Sequence, residues 1–133
     1  MSYPTNFRYT KDHEWIDVKG DVATIGITDY AQSELGDVVF VELPAVGTAL
    51  TTGKTFSSVE SVKAVSEIYA PASGEVVEAN TTLQTKPETI NSDPHGAGWL
   101  VKVKLANLAE VTALMDAAAY EAFIEQKKKE ASA

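Results

Sequence analysis

Between Thr48 and Lys104 the chain is interrupted by Gly53, Pro71, Gly74, Pro87, Pro94, Gly96 and Gly98. Glycine loses the most conformational freedom in a regular element and proline withdraws a backbone donor, so this spacing leaves room for short strands and little else. Such a run predicts a small barrel or sandwich. Upstream, Glu14–Val18 and Val22–Thr28 are two β-rich runs around Lys19-Gly20-Asp21, where Gly20 can supply the positive φ of a tight turn, and they predict a hairpin. Asp29 then precedes Tyr30-Ala31-Gln32-Ser33-Glu34-Leu35 and Gly36 follows, so a polar N-cap and a terminal glycine bracket about two turns of helix. Asp37–Leu43 is rich in β-branched and aromatic residues and stops at Pro44, which predicts another strand.

The last strand is expected over Trp99–Leu105, where Trp99, Val101, Val103 and Leu105 alternate with Leu100, Lys102 and Lys104 and give one apolar face. After Asn107 the period changes. Leu108, Val111, Leu114 and Met115 recur at helical spacing, and Asp116 can cap a second segment bearing Tyr120, Phe123 and Ile124. The C-terminal helical segment is expected at about 107–129, with Lys127–Lys129 as a solvated helix end and Glu130–Ala133 frayed. No fixed-period repeat or long linker divides the chain, so residues 1–133 are read as one domain, mostly β with short helices (α+β).

Composition narrows the function. The balance of 44% hydrophobic and 23% charged residues is that of an ordinary globular chain. A net charge of −8 disfavours nucleic acid and anionic membrane surfaces, both of which require a basic face. It suits encounters with basic patches on partner proteins. The absence of cysteine removes disulfides, thiolate metal sites and a cysteine nucleophile together. The longest apolar-rich run, Val38–Leu43, is strand-sized and contains Glu42, so no membrane span is expected. Met1–Thr5 has neither signal-peptide nor transit-peptide character, which points to a cytoplasmic, bacterial product.

Several motifs fail on inspection. Gly47-Thr48-Ala49-Leu50-Thr51-Thr52-Gly53-Lys54-Thr55 has five residues between its glycines where a phosphate loop has four, and Phe56-Ser57-Ser58-Val59 continues as a strand instead of a helix. His13 and His95 are too few for a zinc site without cysteines, and both are expected in structural or solvent-facing roles. No Gly-x-Ser-x-Gly elbow surrounds Ser57, Ser58, Ser61 or Ser66. A catalytic residue set is not found.

One segment remains: Val59-Glu60-Ser61-Val62-Lys63-Ala64-Val65-Ser66-Glu67-Ile68, followed by Ala70-Pro71 and Gly74-Glu75-Val76. Two strand-like runs flank a lysine, so a turn there would hold the Lys63 amine on a flexible four-carbon stem, accessible to a modifying enzyme. Acylation would turn it into a long arm able to visit several active sites. An unmodified turn lysine beside Glu60 and Glu67 is the plainer reading of the same residues, and spacing alone does not choose between them.

Glu60-Ser61-Val62-Lys63-Ala64 with Ala70-Pro71 and Gly74 resembles the lipoyl-attachment hairpin of the glycine cleavage H protein family. Biotin carriers flank their lysine with methionines and lipoyl domains of 2-oxoacid dehydrogenases place Asp before it, whereas this chain has Val62 and Ala64. Similar blocks extend the resemblance over nearly the whole chain: His13-Glu14-Trp15, Val22–Thr28, Leu35–Pro44, Gly74–Asn80 and Pro87–Leu100. Glu67 and His95 stand where many members have Asp and Tyr.

The resemblance implies a lipoyl/biotinyl-like barrel-sandwich hybrid carrying lipoate in amide linkage on Lys63, with Glu14 and Glu67 as candidates for the pocket that receives the arm. It implies a non-catalytic shuttle with no metal. The shuttle takes an aminomethyl group from a pyridoxal-phosphate glycine decarboxylase to an aminomethyltransferase, and reducing equivalents to dihydrolipoamide dehydrogenase. A lipoate ligase or lipoyltransferase would install the arm. The alternative within the same resemblance is a lipoyl or octanoyl relay protein in lipoate metabolism. A monomer is expected, since a carrier must leave one partner for the next.

Overall fold

The computed structural model describes residues 3–132, with side chains to Glu130. Its first strands are β1 (Arg8–Tyr9), β2 (Glu14–Lys19) and β3 (Val22–Ile27). The β2–β3 hairpin closes over Gly20-Asp21 with Gly20 at φ +69°, so the glycine supplies the conformation expected of it. Helix α1 (Asp29–Leu35) follows and ends at Gly36, φ +81°. Its N-cap is Thr28, one residue earlier than expected: the Thr28 hydroxyl accepts from the Ala31 N–H, which leaves the Asp29 carboxylate in the first turn to accept from the Gln32 amide.

Strands β4 (Val38–Glu42), β5 (Ala49–Leu50), β6 (Thr55–Ser61), β7 (Val65–Tyr69) and β8 (Gly74–Ala79) come next, and Gly47–Thr55 is turn and strand with no helix after it. Two one-turn helices, α2 (Thr82–Thr85) and α3 (Thr89–Ser92), lie where only strands and loops are expected from the sequence. A single turn leaves too few residues for a helical period to register, and each is held by one buried side chain, Leu83 and Ile90. β9 (Val101–Leu105), α4 (Ala109–Thr112) and α5 (Ala117–Ser132) complete the chain. Asp116 caps α5 by accepting from the Ala119 N–H at 2.8 Å. The helix runs through Glu130 to Ser132, past the expected end at 129, and the expected fraying at Ala133 lies outside the described residues.

Among the described residues nine strands form two open sheets, neither closing on itself: β1-β2-β3-β9-β8-β5 and β4-β6-β7, with antiparallel pairs throughout. The mostly β, barrel-sandwich expectation is met as a sandwich. Val101 and Val103 of β9 point inward with Ile16, Ala23, Ile25 and Val76. A second cluster packs Val38, Val41, Val59 and Ile68 of the smaller sheet against Ile27, Leu83, Ile90 and Leu100, and Phe56 touches both clusters. Leu100 was expected on the polar face of the last strand; it is fully buried against Leu83 of α2 and Ile90 of α3, and β9 begins two residues later than expected, at Val101. Leu108, expected in the apolar stripe of the C-terminal segment, is exposed.

A third cluster is aromatic. Tyr3, Phe7, Tyr9 and Trp15 pack under α5 through Tyr120 and Ile124, with Tyr9 and Tyr120 stacked at 4.7 Å. No helix among the described residues is long and apolar enough to cross a membrane.

Candidate functional site

Lys63 occupies the tip of the β6–β7 hairpin. The Ser61 N–H donates to the Ala64 carbonyl at 2.8 Å, which makes Val62 and Lys63 the two turn residues. Ser61 then ties the turn from inside: its hydroxyl oxygen accepts from the Lys63 N–H (3.2 Å) and the Ala64 N–H (3.1 Å), and the hydroxyl donates to the Ala64 carbonyl (3.2 Å). The Val62 N–H donates to Asp37 just before β4, so the tip is bound to the adjacent strand as well. A small buried hydroxyl-bearing residue is what this local bonding requires.

The Lys63 side chain is exposed and forms no ion pair among the described residues. Its stem passes over the C-terminus of α1: a Cβ added to Gly36 would lie 3.2 Å from Lys63 Cε and 3.9 Å from Nζ. Gly36 thus serves twice, taking a left-handed φ that ends the helix and leaving space for the lysine stem. Asn91 fixes this helix end. Its amide donates to the Gly36 carbonyl (2.9 Å) and Gln32 Oε1 (3.0 Å), and its oxygen accepts from the Val38 N–H (2.9 Å).

A cleft of about 340 Å³ opens beside this helix end, between α1, β7 and the loop before β2. Ile27, Ala31, Leu35 and Ile68 give it an apolar floor, and Asp12, His13, Tyr30, Glu34 and Ser66 a polar rim. It runs into a shallower groove of about 680 Å³ that shares Asp12, His13 and Ser66 and adds Lys11, Val65, Glu67, Tyr69 and Lys127. An apolar bed with a few polar groups suits an aliphatic chain with a polar end. Among the described residues no three His, Asp or Glu side chains come together as a metal site.

Glu67 is exposed on β7 and borders the shallower groove. Glu14 lies deeper. It is 2% exposed and lines neither space, its carboxylate accepting from the Thr10 hydroxyl (2.6 Å) and from the Tyr69 N–H (3.3 Å) beneath the groove wall. Burial drives its carboxyl up to about 7, partly offset by those two hydrogen bonds, which favour the charged form. The structure therefore brings Lys63 and Glu67 to the same surface and sets Glu14 behind Tyr69.

The glycine cleavage H-protein family model matches residues 7–127. The chain belongs to the glycine cleavage H-protein family. It is 55% identical over 127 residues to the glycine cleavage system H protein of Acidobacterium capsulatum, covering 96% of this chain and 98% of that one. It is 61% identical over 117 residues to that of Beijerinckia indica, covering 88% and 94%. The crystal structure of a glycine cleavage system H protein from Mycobacterium marinum superposes with a TM-score of 0.83 at 42% identity, covering 95% of this chain and 99% of that one.

Sequence reasoning missed part of the cleft. Asp12, Tyr30, Glu34 and Ser66 come from a loop, a helix and a strand, and no local spacing marks them as neighbours. His13, read as structural or solvent-facing, is half-buried on the rim, where burial holds its imidazole below the ordinary value. His95 has a structural role: its Nε2 accepts from the Asp29 N–H (3.1 Å) and its ring lies against Tyr3. Lys127, taken as part of a solvated helix end, lies over the Phe123 ring at 5.5 Å and borders the groove.

Proposed function

We propose that this chain carries lipoate in amide linkage on Lys63 and acts, without catalytic groups of its own, as the shuttle of glycine cleavage. In this reading it takes an aminomethyl group from the pyridoxal-phosphate decarboxylase to the aminomethyltransferase and delivers reducing equivalents to dihydrolipoamide dehydrogenase. The observation behind it is the lysine itself: one exposed amine at the tip of a tied hairpin, its stem over Gly36 and an apolar cleft alongside. A lipoyl group supplies a dithiolane that accepts a one-carbon amine and two electrons.

The residues present fit that group. Gly36 leaves the stem unhindered, the floor of Ile27, Ala31, Leu35 and Ile68 accepts methylenes, and the rim keeps polar atoms hydrated or bonded. Asp12 and Glu34 line the cleft, while Glu67 shares the adjoining groove with Lys11 and Lys127, so it is in the cleft that a protonated amine would meet carboxylates unopposed by lysine. Glu14 acts from behind Tyr69, adding negative potential when ionised and none when protonated. We read residues 1–133 as one carrier unit working in the cytoplasm, modified by a lipoate ligase or lipoyltransferase.

Intact mass and peptide mapping of protein made in lipoate-supplied cells test this. A lipoyl amide on Lys63, absent in Lys63→Arg, together with glycine-dependent exchange supported by purified decarboxylase, is the expected result. An unmodified Lys63 after incubation with active ligase overturns the carrier reading. A lipoylated chain that supports no exchange leaves the relay role instead.

A further inference from the structure

His13 is the one non-glycine residue of positive φ among the described residues, at +70°. Two backbone bonds hold it there, from its N–H to the Thr10 carbonyl (3.1 Å) and from the Thr28 N–H to its own carbonyl (3.0 Å). A left-handed histidine is uncommon, and such positions gather where a side chain must be aimed. Its ring is aimed through a chain of hydroxyls: Nδ1 lies 2.8 Å from Tyr120 Oη, which lies 2.7 Å from Thr28 Oγ1.

The protons in this chain can be placed. Thr28 and Tyr120 are both fully buried. Thr28 Oγ1 accepts from the Ala31 N–H, and the acceptor its own proton meets is Tyr120 Oη. The arrangement that gives every buried hydroxyl proton an acceptor sends that of Thr28 to Tyr120 Oη and that of Tyr120 to His13 Nδ1. Nδ1 is then an acceptor, the imidazole is neutral, and its proton sits on Nε2. That nitrogen has no hydrogen-bond partner among the described residues, and no buried side-chain nitrogen lacks one, so Nε2 opens to solvent where the ring lines the cleft.

We propose that His13 is a positioning residue of the cleft, presenting an Nε2–H of fixed tautomer to an uncharged acceptor atom of the lipoyl arm. This rests on the carrier reading. The arm offers two kinds of such atom, the amide carbonyl at its root on Lys63 and the weaker sulfurs at its free end. A protonated amine finds no lone pair at Nε2, so the two are sorted: the amine to Asp12 and Glu34, an uncharged acceptor to His13. Burial favours the neutral ring, with Asp12 and Glu34 opposing and Lys127 assisting.

The test uses the full chain with 15N-labelled histidine, unmodified and lipoylated at Lys63. His13 is expected wholly in the Nε2–H tautomer near neutral pH, and its Nε2 resonance is expected to move on lipoylation. Thr28→Val, which removes the proton that Tyr120 accepts and lets its oxygen accept from Nδ1–H instead, should give a tautomer mixture. Replacing His13 by Nε2-methylhistidine keeps the Nδ1 acceptor and removes the donor. The reduced arm should then react with a bulky maleimide about three to ten times faster, the loss of one neutral hydrogen bond. A His13 Nδ1–H tautomer, or a lipoylated chain with unmoved Nε2 and unchanged maleimide rate, overturns the role of His13 alone. A chain that takes up no lipoyl mass overturns the carrier reading before His13 is measured.

Discussion

Glu14 makes the stability of this chain depend on pH in an unusual direction. Its carboxyl, ordinarily at 4.5, is raised to about 7 chiefly because the side chain is withdrawn from water. Between those values the folded chain holds a proton that the unfolded chain has released, so stability falls as pH rises. The contribution is fully present below 4.5 and is lost as pH passes through 7. At about 1.4 kcal/mol per pH unit, that interval corresponds to roughly 3 kcal/mol. Glu14→Gln removes the ionisation and keeps the Thr10 hydrogen bond, so urea unfolding of parent and variant at pH 5 and pH 8 isolates the effect. The stability of the variant relative to the parent should improve by about 2–3 kcal/mol on going from pH 5 to pH 8. His13 and His95 act in the opposite direction, their lowered values giving stability that is lost as pH falls, but they cancel in the difference. An identical difference at both pH values would refute the buried, raised carboxyl.

Three substitutions probe the surroundings. Gly26→Ala would place a Cβ 2.7 Å from the buried Trp15 indole, which is stacked on Phe7 and donates to the Pro94 carbonyl, and should cost about 2–3 kcal/mol in urea unfolding. Asn91→Ala leaves the Gly36 carbonyl and Val38 N–H without their partner, and should cost about 2 kcal/mol while raising amide exchange at Gly36–Val38. Gly36→Ala combines a left-handed φ with crowding of the Lys63 stem, so it should lose about 1 kcal/mol of stability and slow ligase-catalysed lipoylation, followed by mass, by severalfold.

What could be read from the sequence follows from how local each cause is. The β2–β3 turn depends on Gly20, the end of α1 on Gly36 and the start of α5 on Asp116, and each works within three or four residues. Thr28 and Asp29 are both good N-caps, and what selects Thr28 is Tyr120, ninety-two residues away. Helices α2 and α3 are fixed by burial of Leu83 and Ile90 against the smaller sheet, which no local pattern encodes. The place of Lys63 at a hairpin tip was legible because the hairpin around it is continuous in sequence. The cleft was not, since Asp12, Glu34 and Ser66 meet only after the sheets form, and burial of Glu14 depends on where Tyr69 lies.

The bonds that Ser61 makes inside the Lys63 turn bear on distance as well as on shape. If Lys63 carries the proposed arm, a tether whose root cannot wander searches a volume set by its own length alone, and its free end meets the neighbouring cleft at a local concentration that no dilution of the protein alters. The choice between that cleft and an incoming partner is then a competition between a unimolecular event and a bimolecular one, weighted by how firmly one serine holds the root. Ser61→Gly would loosen the root, enlarge the searched volume and shift that competition towards the partner without changing a single residue of the cleft.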